Sequence, residues 1–172
     1  AMNIISSHEI SEECNDVLFI SNSTPARDIE FFGNIPPGRR IYSNRGASGI
    51  DGIISSAAGV AAGCNVPVTL VSGDLAFYYD MNSLYLNRYI GESLRIFVFN
   101  NSGGGIFKML PVKDESDIYD EYFRTPADVD FEQICKAFGI SYQKIEDKVN
   151  LMDVLGKDAP KGMQVIEIET DS

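Results

Sequence analysis

Short apolar runs alternate with helix-forming segments along this chain, and that alternation constrains the fold more than any other feature. Residues 66–71 and 94–99 are strand-length and almost continuously hydrophobic, as strands covered on both faces should be. The alternation predicts an α/β protein with three layers, in which helices cover both faces of a mostly parallel six-stranded sheet. The predicted strands are 17–21, 40–43, 66–72, 94–99, 141–144 and 164–168.

Helical patterns separate these strands, at residues 26–32, 50–62, 76–89, 131–138 and 148–156. Ser23, Thr24 and Pro25 form a helix start, with a hydroxyl cap followed by proline in the first turn. A glycine-rich turn and a polar stretch fill residues 102–126. We expect a mobile surface loop there.

The length of 172 residues suits one domain with a substantial core. We expect it to span residues 17–172, after a polar tail at 1–16 in which Ala1 before Met2 suggests a residue left by cloning. No apolar stretch reaches the length of a membrane span, and no secretory signal pattern is present. Cysteines at 14, 64 and 135 lack a CxxC pair, which favours buried free thiols in a reduced cytoplasmic protein.

Acidic residues outnumber basic ones by 25 to 14, giving a net charge of -11. Such a field repels phosphate backbones and anionic membranes, so neither nucleic acid nor a membrane surface is an expected partner. An anionic cofactor would need local help from a cation, from backbone amides or from selected arginines.

Two polar turns follow neighbouring predicted strands. Gly73, Asp74 and Leu75 end the third strand, and Asn101 with Gly103 follows the fourth. Taken singly, an aspartate before a helix is usually an N-cap and an asparagine pair is usually a turn. The carboxyl ends of adjacent parallel strands lie side by side, however, so both turns could grip one hard cation and, through it, a diphosphate.

This pair of turns resembles the motif of the thiamine diphosphate (TPP) dependent enzymes, in which Gly-Asp-Gly is followed at a fixed interval by Asn-Asn. Leu75 departs from that motif. Three further segments are similar to the 2-succinyl-5-enolpyruvyl-6-hydroxy-3-cyclohexene-1-carboxylate (SEPHCHC) synthases of menaquinone biosynthesis, in which leucine at this position is usual. They are Tyr-Ser-Asn-Arg-Gly-Ala-Ser-Gly-Ile-Asp-Gly at 42–52, Ser-Asn-Ser at 21–23 followed by Arg27, and Gly-Gly-Ile-Phe at 104–107 followed by Leu-Pro at 110–111.

The resemblance implies a cofactor site in this chain. Asp74, Asn101 and the backbone carbonyl of Gly103 would coordinate Mg²⁺ or Mn²⁺, an oxygen set that suits a hard ion. Ile50 would hold TPP in a bent conformation. The other residues implied to contact the cofactor are Gly73, Leu75, Ala76 and Ile106.

The resemblance also implies substrates and a substrate site. Both 2-oxoglutarate and isochorismate are dicarboxylates, and Arg45 is well placed for a carboxylate because it stands beside Gly46 at a predicted strand end. Arg27 and Ser23 would bind carboxylates with it. Phe107 and Leu110, together with Ile106, would form an apolar wall.

The implied activity is that of a transferase: decarboxylation of 2-oxoglutarate, then addition of the remaining fragment to isochorismate. The implied family works as homo-oligomers, either dimers or tetramers. The resemblance implies an activating glutamate from an N-terminal pyrimidine-binding domain, and we expect neither that domain nor the central domain within residues 1–172. We therefore expect no catalytic residue within these 172 residues, and an inactive isolated chain.

Two alternatives remain open at the level of sequence. The chain could belong to an acetolactate-synthase-like enzyme or a 2-oxoacid decarboxylase, although those usually keep glycine at the position of Leu75. It could also be a non-catalytic assembly domain. A P-loop and a dinucleotide fingerprint are both incomplete, and the only histidine, His8, lies in the expected tail, which disfavours a Ser-His-Asp mechanism.

Overall fold

A single parallel sheet forms the centre of the molecule. The structure is a computed structural model that describes residues 1–8, 16–114, 118–127 and 129–170. Six strands pair in the order β2-β1-β3-β4-β6-β5, and every pair is parallel. The sheet predicted from the sequence is confirmed. The strands are β1 (Val17–Ile20), β2 (Arg40–Tyr42), β3 (Val68–Gly73), β4 (Ser93–Asn100), β5 (Ser141–Ile145) and β6 (Gly162–Glu169).

Helices cover both faces of this sheet and enclose two separate hydrophobic cores. Alternate strand residues supply the two cores: Val17 and Phe19 face one, Leu18 and Ile20 the other. This is the three-layer arrangement that the alternating pattern predicts. The helices are α1 (Met2–Ser7), α2 (Thr24–Phe32), α3 (Ile53–Cys64), α4 (Asp74–Tyr79), α5 (Phe131–Phe138) and α6 (Lys148–Leu155). The first core packs under α3, α4 and α5, and the second under α1, α2 and α6.

The helix predicted over residues 76–89 is wrong as a single element. Helix α4 ends at Tyr79, and a 3-10 segment, Met81–Tyr89, follows Asp80. The Asp80 carboxylate accepts hydrogen bonds from the backbone N of Ser55 at 2.9 Å and from the Ser83 hydroxyl at 2.7 Å. Asp80 thereby caps α3, because the N-cap residue of α3, Gly52, has no side chain to do so. Helix α4 ends immediately before this capping residue.

The stretch predicted to be a surface loop, residues 102–126, contains short helical turns where it is described. Two 3-10 turns, Gly105–Met109 and Pro111–Asp114, are followed by a π-helical turn, Tyr119–Arg124. Residues 115–117 lie outside the description. Tyr119 is buried, so this segment packs onto the domain.

Part of the expected N-terminal tail is folded onto the domain. Helix α1 buries Met2 and Ile5 in the second core. Asp16 and Arg39 form an ion pair at 2.6 Å with both side chains fully buried. The sequence could not reveal this pair, because the partners lie on different segments. Residues 9–15, including Cys14, lie outside the description.

Two remaining expectations concern thiols and membranes. Cys135 is a buried free thiol as predicted, whereas Cys64 is free but exposed, which corrects the expectation that it is buried. Among the helices of the described residues, none combines the length and the apolar character that a membrane crossing requires.

Candidate functional site

The two predicted turns meet at the carboxyl edge of the sheet. Strands β3 and β4 are paired in parallel, with Gly73 opposite Phe99. Asp74 follows β3, and its Oδ2 accepts a hydrogen bond from the backbone N of Gly103, after β4, at 2.7 Å. Its Oδ1 accepts from the N of Leu75 at 2.8 Å. One carboxylate therefore joins both turns.

Asp74 is the electrostatic centre of this junction. Its side chain is buried, with 7% of the residue exposed. Burial raises the pKa of this carboxyl, and the amide donors of Gly103 and Leu75 act against that rise. No ion pair within the described part of the chain involves Asp74. Such a carboxylate has little to balance its charge and is suited to a cation.

A cavity of about 480 Å³ opens beside Asp74, a size typical of small-molecule sites. It runs between the ends of β1, β3 and β4 and the starts of α2 and α4. Most residues predicted for the site line it: Ser23, Ile50, Gly73, Asp74, Leu75, Ala76, Asn101, Gly103, Ile106 and Phe107. The structure thus brings the predicted cofactor residues together around one space.

Three predicted substrate residues do not line the cavity. Arg27 is exposed and donates to the backbone oxygen of Ser23 at 3.0 Å. Arg45 is also exposed, and its Nη1 lies 3.3 Å from Oδ1 of Asn22, a cavity residue. Both guanidinium groups therefore flank the lining without forming it. Leu110 is 48% exposed and lies outside the lining.

Backbone crowding explains the glycines after β4. Gly103 has φ +130°, and a Cβ there would come closer than 3.0 Å to the carbonyl oxygen of Arg124. The N of Gly104 donates to that same oxygen at 2.6 Å. A Cβ at Gly105 would overlap the side-chain amide of Asn101. Segment Tyr119–Arg124 thus presses on the turn, and only glycine fits.

Several cavity residues were not predicted as site residues. Asn22 follows β1 as Asp74 follows β3, so the carboxyl-edge rule could have found it. Its Nδ2 donates to the carbonyl oxygens of Asn44, at 2.8 Å, and Gly49, at 2.6 Å, and so ties the loop before α3 to the cavity. Asp28 lies one helical turn beyond Thr24 on α2, and both residues line the cavity. Their spacing of four residues places them on the same face of the helix, and this spacing could have identified Asp28 from the sequence. Burial raises the pKa of Asp28.

Ser23, which follows Asn22 and precedes α2, adopts an unusual backbone conformation, with φ 70° and ψ −138°. That region is sparsely populated for residues with a side chain and costs roughly 1–3 kcal/mol. It holds the start of α2 against the cavity, where strain of this kind commonly marks a binding site. The sequence gives no signal of it.

The donor set fits a hard divalent cation. Asp74 has a buried carboxylate, and the turn bonded to it contains the side-chain amide of Asn101 and the carbonyl oxygen of Gly103, which also accepts from the N of Gly105 at 2.9 Å. Within the described lining the charged side chains are both acidic, Asp28 and Asp74. No cluster of three or more His, Cys, Asp or Glu side chains suited to a metal occurs in the described residues. A metal here would therefore depend on uncharged oxygens beside one carboxylate.

Comparison with known families agrees with this geometry. Residues 29–168 match the family model described as thiamine pyrophosphate enzyme, C-terminal TPP binding domain. The chain belongs to that family, and its fold is that of a TPP-binding domain.

The curated relatives are more specific. The chain is 46% identical over 156 residues to a protein of Synechococcus sp. (strain JA-3-3Ab) and 41% identical over 156 residues to one of Bacillus velezensis. Each match covers 90% of this chain. Both proteins are named 2-succinyl-5-enolpyruvyl-6-hydroxy-3-cyclohexene-1-carboxylate synthase, so the resemblance to SEPHCHC synthases is confirmed. This chain spans only 26% and 27% of their lengths, respectively.

Solved structures share the fold at lower sequence identity. Benzoylformate decarboxylase from Polynucleobacter necessarius superimposes with a TM-score of 0.75 at 20% identity, covering 99% of this chain and 32% of that one. A protein from Mycobacterium smegmatis, described as a "putative thiamin diphosphate-dependent enzyme", gives a TM-score of 0.70 at 16% identity, covering 99% of this chain and 31% of that one. These matches establish the fold of the domain alone.

Proposed function

We propose that this chain binds the diphosphate of TPP through Mg²⁺ or Mn²⁺ held by the Asp74 carboxylate, the Asn101 side-chain oxygen and the Gly103 carbonyl. The contact between Gly103 N and Asp74 Oδ2 carries the proposal, because it fixes both turns against one buried carboxylate. When bound, TPP supplies a nucleophilic carbon for cleavage and transfer chemistry on 2-oxo acids. The residues of this chain anchor and shape the cofactor.

The charges around the cavity favour a cation together with the cofactor. Asp28 and Asp74 are the charged side chains of the described lining. At an effective dielectric constant of about 20, two like unit charges 4 Å apart repel each other by about 4 kcal/mol. A diphosphate beside Asp74 therefore needs a divalent ion between them. First-turn amides of α4 would add weaker attraction, and the amide of Leu75 is already engaged with Asp74.

Apolar residues would position the thiazolium part of the cofactor. Ile50 lines the cavity from the loop before α3, as a wedge that keeps TPP bent requires. On the opposite turn, Ile106 and Phe107 line it, and Phe107 stacks edge-on against Phe123 at 5.6 Å between ring centroids. This aromatic contact would hold the apolar wall in place.

We propose 2-oxoglutarate and isochorismate as the substrates of the enzyme that contains this domain. Supporting this, Arg45 bonds Asn22 and Arg27 bonds Ser23, so two guanidinium groups are held next to the cavity lining. Each remains exposed and able to pair with a carboxylate. The curated relatives are named for making a cyclohexene carboxylate that carries a succinyl group. Leu110 would contribute only if its turn moved toward the cavity.

Other parts of the proposal concern the larger protein. Because the chain spans about a quarter of the curated relatives' length, we expect the glutamate that activates TPP to lie outside residues 1–172. We propose that the full-length protein is a homo-oligomeric, cytoplasmic transferase of menaquinone biosynthesis. The isolated chain should bind TPP and metal weakly and not turn over. Sustained CO₂ release from 2-oxoglutarate by this chain alone would contradict that.

Isothermal titration calorimetry of the purified chain with TPP, with and without Mg²⁺, tests the cofactor site. Binding should require the ion, and Asp74→Asn and Asp74→Ala should each abolish it. Asp153→Asn is the matched control, since Asp153 is an exposed carboxylate on α6 paired with Lys157. Binding of TPP with Mg²⁺ to both Asp74 variants at wild-type affinity would overturn the metal site.

The proposed substrates need a separate test in the longer enzyme that carries this domain. Arg45→Ala should raise the KM for a dicarboxylate substrate by at least about tenfold, because a charge-assisted pair contributes roughly 1.5–3 kcal/mol. Arg88→Ala is the control, because that exposed arginine stacks on Tyr85 and does not line the cavity. Equal turnover of monocarboxylic 2-oxo acids, unaffected by Arg45→Ala, would instead favour a 2-oxoacid decarboxylase.

A further inference from the structure

A partly buried hydrogen-bond network lies next to the site and joins β4, β5 and β6. Glu167 of β6 is 5% exposed. Its Oε1 accepts from Nδ2 of Asn100, the last residue of β4, at 2.7 Å. Its Oε2 accepts from the hydroxyl of Tyr142, on β5, at 2.5 Å. One carboxylate thus links the last residue of β4 and the second residue of β5 to β6, the strand between them.

Asn100 connects this network to the turn that carries Asn101 and Gly103. Its Oδ1 accepts from the backbone N of Ser102 at 3.0 Å, so the two ends of its amide point in opposite directions. Its backbone oxygen accepts from the N of Thr170, a cavity residue, at 2.9 Å. The path then continues from Gly103 N to the Asp74 carboxylate.

The chemistry of Glu167 fixes the direction in which that amide lies. Both oxygens of Glu167 accept hydrogen bonds and the backbone N of Ser102 can only donate, so the Asn100 amide presents its NH₂ to Glu167 and its oxygen to Ser102. Burial and the bond to Glu167 raise the pKa of the Tyr142 phenol, which keeps it a donor. Ser102 has φ 58° and Gly103 φ 130°, a backbone that needs outside support.

We propose that Glu167 and Tyr142 are positioning residues for cofactor binding, acting through Asn100 to hold the turn that presents Asn101 and Gly103. This inference rests on the proposed binding of TPP with a divalent ion. Neither residue lines the cavity, so neither touches the cofactor. The two act by keeping the oxygen donors of the turn in register with Asp74, since misplaced ligands cost affinity.

Calorimetric titration of the 172-residue chain with TPP at saturating Mg²⁺ measures this role. Glu167→Gln should weaken binding about tenfold, because glutamine has one acceptor oxygen in place of two and cannot accept from both Asn100 and Tyr142 as the carboxylate does. Tyr142→Phe should weaken it by about threefold, since only one bond to Glu167 is lost. Glu169→Gln is the matched control: the same change on the same strand, at an exposed residue paired with Lys144.

A double-mutant cycle separates positioning from general destabilisation. In an Asn100→Ala background, Glu167→Gln should have no further effect on the Kd for TPP, because the side-chain bond that joins Glu167 to the turn is already gone. A purely structural role would lower the urea midpoint in both backgrounds and leave the Kd of the folded chain unchanged. If Glu167→Gln does not fold, Tyr142→Phe carries the same cycle.

The outcomes distinguish this inference from the function on which it rests. Failure of the wild-type chain to bind TPP with Mg²⁺ would overturn the proposed function and the positioning role together. Normal wild-type binding, with Kd values unchanged in Glu167→Gln and Tyr142→Phe, would overturn the positioning role alone. Equal loss of affinity in the Glu169→Gln control would also overturn it.

Discussion

Replacing Gly103 by alanine tests whether backbone crowding builds the turn after β4. Two features of the structure oppose any side chain there. The φ angle of +130° lies in a region that L residues rarely adopt, and a Cβ would come closer than 3.0 Å to the carbonyl oxygen of Arg124. That oxygen is fixed by a 2.6 Å hydrogen bond from Gly104 N. The overlapping atom is backbone, so it cannot simply rotate away.

The two penalties can be estimated separately. Holding a non-glycine residue in such a conformation costs roughly 1–3 kcal/mol. Displacing the Arg124 carbonyl breaks the bond to Gly104, which contributes about 1 kcal/mol. Gly103→Ala should therefore lower the free energy of unfolding by about 2–4 kcal/mol, equivalent to a fall in Tm of about 6–12 °C for a chain of this length.

Two other glycines supply controls that divide the cost. Gly139, after α5, has φ +68° but no atom within 4 Å of the position that a Cβ would take. Gly139→Ala should therefore lower the free energy of unfolding only through backbone strain, by about 1 kcal/mol. Gly59 lies within α3 with free space around it, so Gly59→Ala should stabilise the chain by roughly 0.5–1 kcal/mol. Urea unfolding followed by circular dichroism measures all three. If Gly103→Ala costs no more than Gly139→Ala, the reasoning about crowding is refuted.

Further predictions concern titration, thiol reactivity and packing. Because burial raises the pKa of Asp74, protons should compete with Mn²⁺ at a higher pH than they do at an ordinary aspartate. The affinity for Mn²⁺ should fall as the pH drops through that raised pKa, while the metal-free fold gains stability from the same protonation. A Mn²⁺ affinity that rises as the pH drops would contradict this prediction. Burial raises the pKa of Cys135 to about 12, so Ellman's reagent should modify exposed Cys64 in the folded chain and Cys135 only after unfolding; equal rates would disprove the burial. Phe77 is fully buried and packs edge-on against Phe131 at 5.2 Å, so Phe77→Ala should cost about 3–5 kcal/mol in urea unfolding, and a loss under about 1 kcal/mol would contradict that packing.

Local sequence patterns predicted the strands well because each strand is a self-contained signal. Residues 94–99 are apolar on both faces since two cores cover β4, and the structure extends that strand only to Ser93–Asn100. The turns at Asp74 and Asn101 were found for a related reason. Parallel strands place their carboxyl ends together, so sequence alone indicated which polar residues would meet.

Long-range contacts account for what the sequence missed. The break at Asp80 reflects a capping bond to Ser55, 25 residues away along the chain. Residues 119–124 are joined to the turn after β4 by a hydrogen bond from Gly104 N to the carbonyl oxygen of Arg124. Neither pairing leaves a periodic pattern, because each partner is polar and looks like an ordinary turn residue by itself. For the same reason the sequence did not predict Asn22 and Asp28 as site residues, although both line the cavity.

The balance of charge makes the two turns more important than the overall field of the protein. With a net charge of -11, the chain repels an anion at long range, and at physiological salt that repulsion is screened beyond about 8 Å. Attraction for a diphosphate must therefore arise within contact distance, from an ion and from backbone groups. Asp74 is where these requirements meet, because one buried carboxylate can both hold the cation and accept the Gly103 amide that brings the second turn to it. We therefore expect a displacement of that turn to weaken the proposed ion site before it weakens the fold, and this expectation is the reason for proposing that the Glu167 network affects binding.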